Sequence, residues 1–207
     1  MVKSSLLTTL ENRRSTYTFL SRVYAREVSL DLLQKLMDTP PQIDGMFGEF
    51  MEKLKVSDLE KVRTDLAAEY AALFLNAGRY PVYPFESVYT SKERLLMQEA
   101  RDEVLREYRK EGLDRIGEFK EPEDHIAIEL EFMSYLCQKT IDSVERGDNK
   151  AALLYFKKQK DFLKKHLMVW VPAFCADLER ATKSDFYQGV TKLTKSYLKI
   201  EGRLSWR

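Results

Sequence analysis

Few residues in this chain are equipped for chemistry. There are two histidines, His125 and His166, and two cysteines, Cys137 and Cys175. His125 follows Asp124, and Glu129 stands one helical turn beyond it. An acid beside an imidazole is the minimum for a general base. The same spacing suits a hydrogen-bonded histidine at a helix start, or a small anionic patch for a positively charged partner. Adjacent residues on a helix point in different directions, so Asp124 and His125 need not touch. No HExxH is present and neither histidine has Glu three residues before it, so zinc hydrolysis and a di-iron carboxylate bundle lack ligands. No GxxxxGK[ST] loop, GxGxxG turn or GxSxG elbow occurs. The spacing of the cysteines fits no zinc site, and both fall in apolar stretches, as small core residues do.

The second unusual segment is Asn76 to Thr90, NAGRYPVYPFESVYT. It holds two prolines with Tyr80, Tyr83, Phe85 and Tyr89, and has no regular period. These rings could plug the core beneath a long loop or line a groove. Ordered loops of this length often carry binding surfaces, and large aromatics with a polar end anchor peptides. An apolar groove beside an acidic patch would match a peptide with basic residues followed by an apolar run.

The elements that must position these residues read as helices. Apolar stripes at steps of three and four run through Leu59, Val62, Leu66, Tyr70 and Leu73, and through Met97, Ala100, Val104 and Tyr108. Two more run through Ile126, Leu130, Met133, Cys137 and Ile141, and through Phe186, Val190, Leu193, Tyr197 and Ile200. Ser57 and Glu60 form a capping box, and Ser29 and Ser91 read as caps, the latter for a helix from Lys92 to about Glu111. Pro122 suits a first turn, with Glu123 and Asp124 following where the helix dipole favours negative charge. Gly147 ends that helix and Asp148 or Asn149 starts the next, while Pro172 and Ser184 mark two further starts. Asp38 to Gly48 reads as a surface loop. Arg13-Arg14 followed by Phe19-Leu20 loosely resembles a twin-arginine export signal, but Arg22, Arg26 and Glu27 break the apolar region such a signal needs. The segment reads as an amphipathic helix with Tyr17, Leu20 and Tyr24 inward.

Composition agrees. The chain has 207 residues, with 27 Leu against fewer Val and Ile combined, and only 8 Gly and 6 Pro. Leucine loses little rotamer freedom in a helix, whereas β-branched residues lose more. Lys+Arg 34 balance Asp+Glu 33, so no basic excess marks a nucleic-acid surface. The longest stretch free of charged residues, His166 to Ala176, is too short for a membrane span, which needs about 20 residues. The expectation is a soluble, reduced, intracellular, all-α protein.

Four blocks, in order, resemble one family. Glu121-Pro-Glu-Asp-His125-Ile, with Glu129-Leu-Glu-Phe-Met133, looks like the E-P-x-D-H signature of the TorD/DmsD redox-enzyme maturation chaperones. Tyr70-Ala-Ala-Leu-Phe74 with Tyr83-Pro-Phe-Glu-Ser-Val-Tyr89 resembles that family's other block. Gln159 to Pro172 is similar to its F-L-x-x-H-L-x-x-W segment, and Tyr17 to Tyr24 to its opening.

The resemblance implies an all-α bundle of about nine to ten helices, with an N-terminal lobe of about 1–111, a hinge of about 112–121 and a C-terminal lobe of about 122–207. Some relatives exchange lobes to dimerise, so monomer and swapped homodimer are both open. It implies a non-enzymatic cytoplasmic chaperone without a cofactor. Its partner would be the twin-arginine signal peptide and precursor of a molybdopterin oxidoreductase of the DMSO/TMAO reductase type, held until cofactor insertion and then released for export. Some relatives bind GTP weakly, but this chain has no phosphate loop for it. In this reading Tyr70, Leu73, Phe74, Pro84, Phe85 and Tyr89 line an apolar groove. Glu121 and Asp124 meet the arginines, Ser87 bonds main chain, and His125 orients the loop or contacts the peptide. Relatives often carry tryptophan where this chain has Phe85 and Tyr89, so the groove and its client can differ. The alternatives are a NarJ-type assembly adaptor for a reductase subunit that is not exported, and a helical enzyme using Asp124 and His125.

Overall fold

A computed structural model describes residues 2–38, 47–113 and 119–205. Among them are ten helices and no strand longer than a single bridge. The Asp38–Gly48 loop therefore lies largely outside the described residues, as do residues 114–118 of the expected hinge. The chain forms two compact units: residues 1–25, 85–171 and 198–207 make the first, and residues 26–84 and 172–197 the second. These boundaries differ from a division at 112–121. The N-terminal helix belongs with residues 85–171 rather than with its sequence neighbours.

The first unit holds α1 (Val2–Ala25), α5 (Glu86–Thr90), α6 (Glu99–Lys110), α7 (Ile126–Glu145) and α8 (Asn149–Lys165). Helix α1 packs along α7, and α7 along α8. All five residues of the α7 stripe are buried, and so are Tyr17, Leu20 and Tyr24 on α1. Ser21 donates to the Ala127 carbonyl at 2.8 Å, and Thr18 and Ser134 share a hydrogen bond at 2.8 Å. Arg13, part of the twin-arginine look-alike, is structural. Its Nε and Nη2 reach the two carboxylate oxygens of Glu201 at 2.8 and 2.6 Å, and Tyr17 donates to Oε2 at 2.9 Å. Both ions are buried, so each depends on the other: a buried charge left alone costs several kcal/mol.

The second unit holds α2 (Leu30–Asp38), α3 (Gly48–Lys55) and α4 (Leu59–Phe74), with α2 against both α3 and α4. It also takes the later part of α9 (Leu167–Ala181) and most of α10 (Asp185–Arg203). Its core is aromatic: Phe186 lies 5.1 Å from both Phe50 and Tyr187, and Phe74 5.9 Å from Tyr187, centroid to centroid. Glu69 binds the α9–α10 turn, accepting from the Lys183 and Ser184 amides at 3.0 and 3.1 Å.

Several boundaries are as expected: Ser29, Asp148 and Ser184 each accept a main-chain N–H in the first turn of their helices, and Gly147 takes the left-handed conformation that closes α7. Others are corrected. Asp58, not Ser57, caps α4, accepting from the Glu60 amide at 2.9 Å. Ser91 precedes a loop in which Arg94 and Met97 have positive φ, and α6 begins only at Glu99. Met97 is accordingly exposed rather than part of the stripe. Pro122 lies in a turn before α7, whose N-cap is His125. Pro172 sits inside α9 rather than at its start. Ile200 is exposed, because the last turns of α10 belong to the first unit and bury Leu198 and Glu201 instead.

Candidate functional site

The first unit brings the sequence blocks together in one buried polar network. Phe85 is extended and forms an isolated antiparallel bridge with His125. The Glu86 amide donates to the Asp124 carbonyl at 3.0 Å, and the Ser87 amide to Asp124 Oδ2 at 2.8 Å. Asp124 thus binds the start of α5, a helix of five residues that could not hold itself in water. Ser87 Oγ accepts from the Gln98 amide at 3.1 Å, closing the loop that follows α5.

His125 caps α7: its Nδ1 accepts from the Ala127 amide at 3.0 Å. The ring must therefore carry its proton on Nε2. Burial pushes its pKa down to about 3, since charging a sequestered imidazole is costly. Phe85 and Phe119 stand edge-on to the ring at 5.0 and 5.1 Å. A neutral, capping imidazole held this way is a structural element, and the general-base reading of Asp124 and His125 finds no support in its geometry.

Behind this bridge lie two more acids. Glu86, 3% exposed, places Oε2 3.0 Å from His166 Nδ1. Glu129, with no exposed surface, accepts from Trp170 Nε1 at 3.1 Å. Burial, and then the neighbouring Glu86 carboxylate, raise the Glu129 pKa well above its ordinary value, favouring the protonated form. Tyr108 donates to the Glu123 carbonyl at 3.2 Å, and burial with the surrounding carboxylates holds its hydroxyl protonated. Asp124 Oδ1 is buried with no hydrogen-bond partner among the described residues, whereas the Glu129 carboxyl is also hydrogen-bonded to Glu86. Such acceptors are rare and costly in a folded interior.

The ten residues expected at the site fall as follows. In the first unit, Phe85, Ser87, Asp124 and His125 are joined directly and are buried, Tyr89 is half-buried with its ring 5.6 Å from Trp170, and Glu121 is exposed. Of the two acids assigned to the arginines only Glu121 is exposed: Asp124 is fully buried, its carboxylate bound to the start of α5. In the second unit, Tyr70 and Leu73 are buried on α4, Tyr70 lies 5.1 Å from the half-buried Phe74, and Pro84 is buried. The Leu73 carbonyl accepts from the Val82 amide at 2.7 Å, folding the loop back on its helix. The close approach also needs Gly78, where a Cβ would meet the Ala72 carbonyl oxygen at 2.5 Å. Tyr80 and Tyr83 are 66% and 43% exposed, so they do not plug the core. Glu86, His166 and Trp170 received no role from the sequence, although each stands inside a family-like block. Their signal was co-occurrence in separate blocks, which periodicity does not read. Among the described residues no cluster of His, Cys, Asp and Glu has metal-site geometry.

Residues 40–176 match the nitrate reductase delta subunit family. Among curated proteins, the chain is 28% identical over 204 residues to the chaperone protein TorD of Aliivibrio fischeri, covering 92% of this chain and 93% of the relative. It is 28% identical over 207 residues to that of Shewanella pealeana, covering 91% and 87%. In structure it is similar to a crystal structure described as a redox enzyme maturation protein from Archaeoglobus fulgidus, with a TM-score of 0.51 and 22% identity over 90% of this chain and 93% of that one. That likeness shows the fold; the sequence match carries the kinship. The buried polar network is thus built from the segments that carry the resemblance, and the chain belongs to the nitrate reductase delta subunit family, with the TorD chaperones as its relatives.

Proposed function

We propose that this protein is a cytoplasmic maturation chaperone that binds the twin-arginine signal peptide of a molybdopterin oxidoreductase of the DMSO/TMAO reductase type. It holds the precursor until the cofactor is inserted, then frees it for export. The observation that carries this reading is the buried, unpartnered acceptor Asp124 Oδ1, in an acid-rich network whose loops reach the surface. A guanidinium supplies several donors in a planar fork and pairs well with carboxylates. Exposed Glu121 receives the peptide's arginine first, and displacement of the Phe85–His125 bridge opens the way to Asp124. Ser87 and His125 hold the loop main chain, and Tyr89 offers a half-buried ring to the apolar run. Relatives named as chaperones support a role without catalysis.

Calorimetry with a synthetic twin-arginine leader tests this. The leader should bind, and its twin-lysine version should bind at least about tenfold more weakly, because lysine lacks the bidentate fork. Asp124→Asn keeps an acceptor for the Ser87 amide and removes the charge, so it should weaken binding about tenfold while the fold survives. No binding of any leader, with binding of a mature reductase subunit, would replace this reading by an assembly adaptor of the NarJ type, which the family's nitrate reductase description would suit.

A further inference from the structure

Helix α8 carries six lysines, at positions 150, 157, 158, 160, 164 and 165, against one acid, Asp161. Two of the lysines are engaged. Lys158 pairs with Glu111, and Lys160 donates to the carbonyls of Gly202 and Leu204, both at 2.8 Å. Lys150, Lys157, Lys164 and Lys165 make no ion pair with any described residue. With Leu153 and Leu154, which are 49% and 52% exposed, and the exposed Asp161 between Lys157 and Lys164, they fall on one stripe at steps of three and four. The stripe continues into the start of α9, where Met168 and Val169 are 43% and 57% exposed. All these residues belong to the first unit.

The geometry points to a peripheral docking surface for an anionic lipid bilayer, independent of the peptide reading above. The lysines are spread along about 22 Å of helix at 1.5 Å per residue, so they converge on no single small anion. Their alternation with bare aliphatic side chains on a convex helix face suits a plane that apolar groups can enter while ammonium groups stay at the headgroups. A folded acidic protein would have to supply a long concave trough to cover the same stripe. The chain's charges balance overall, so the attraction is local to this face and the opposite charges lie elsewhere. No helix among the described residues is long and apolar enough to cross a membrane, so the contact is adsorption to one leaflet.

Co-sedimentation with vesicles tests the assignment. The full chain should pellet with vesicles of phosphatidylcholine containing phosphatidylglycerol and stay in solution with phosphatidylcholine alone. Raising salt from about 0.1 to 0.5 M should release it, as screening shortens the reach of each lysine. Lys157→Glu with Lys164→Glu should lower the partition coefficient at least about tenfold, and Leu153→Ser with Leu154→Ser should lower it as well. These positions are exposed, and circular dichroism checks the fold. Should the first pair misfold, Lys150→Glu with Lys165→Glu carries the same expectation. Equal binding to neutral vesicles, no binding to anionic ones, or binding unchanged by charge reversal overturns the proposal. So does retention on a polyglutamate matrix without vesicle binding, which would assign the face to an acidic protein.

Discussion

Replacing Glu129 by glutamine should make the fold distinctly more sensitive to acid, through the opposed titrations of two groups in the buried network. His125 ordinarily titrates at 6.5, and burial lowers it to about 3. Between those values the unfolded chain binds a proton that the folded chain refuses. Its contribution to stability therefore falls as the pH drops, by about 1.4 kcal/mol per unit. Glu129 behaves in the opposite sense. Its ordinary value is 4.5, and in the folded chain burial and Glu86 raise it. Above 4.5 the folded chain holds a proton more readily than the unfolded chain, so its contribution grows as the pH falls. Between pH 6.5 and 4.5 the two contributions therefore oppose each other. Glutamine cannot titrate, but it can still accept from Trp170 Nε1. The variant then has the His125 slope alone and should lose more stability than the parent as the pH falls from 6.5 to 4.5. Urea unfolding at pH 4.5, 5.5 and 6.5, taken as variant minus parent, removes the titrations common to both. A difference independent of pH would mean that Glu129 is already ionised in the fold, and the electrostatic picture of the network would fail.

Other perturbations probe packing and pairing. Leu130→Ala removes a side chain with no exposed surface and should cost about 2–5 kcal/mol in urea unfolding; a loss below about 0.5 kcal/mol would misplace the α7 stripe. Phe85→Ala should both weaken leader binding and destabilise the chain by about 3 kcal/mol, because the ring is 7% exposed and packs on His125. An unchanged melting curve would show that the ring contributes nothing to the interior. Arg13→Ala strands Glu201 in the interior and should cost about 3–5 kcal/mol, and a loss below about 1 kcal/mol would mean that water replaces the guanidinium. Both thiols should resist alkylation at neutral pH until denaturant is added, since burial pushes Cys137 and Cys175 up to about 12; rapid labelling of the native chain would contradict their burial.

The helices were legible because helix formation is local. The α4 and α7 stripes and the caps at Ser29, Asp148 and Ser184 depend on residues within one or two turns of each other, and the structure has them where the spacing put them. The misplaced boundaries share a cause. Ser91 and Pro122 are sound local start signals, but neighbouring segments claim the main chain around them: the Gln98 amide goes to Ser87 and the Ser87 amide to Asp124. Ile200 has the right period and the wrong side, because the end of α10 packs in a different unit from its beginning.

The site divides along the same line. The family could be read from four ordered blocks, since residue types at fixed spacing survive in the linear chain. What those residues do was decided by contacts between positions far apart in sequence: 37 residues between Ser87 and Asp124, 80 between Glu86 and His166, and 41 between Glu129 and Trp170. A carboxylate's charge state, and whether its oxygens are occupied or left bare, is set by what surrounds it in space. Order along the chain names the acids; only the folded interior determines that the protonated form of Glu129 is favoured and that Asp124 has one oxygen engaged and one without a donor.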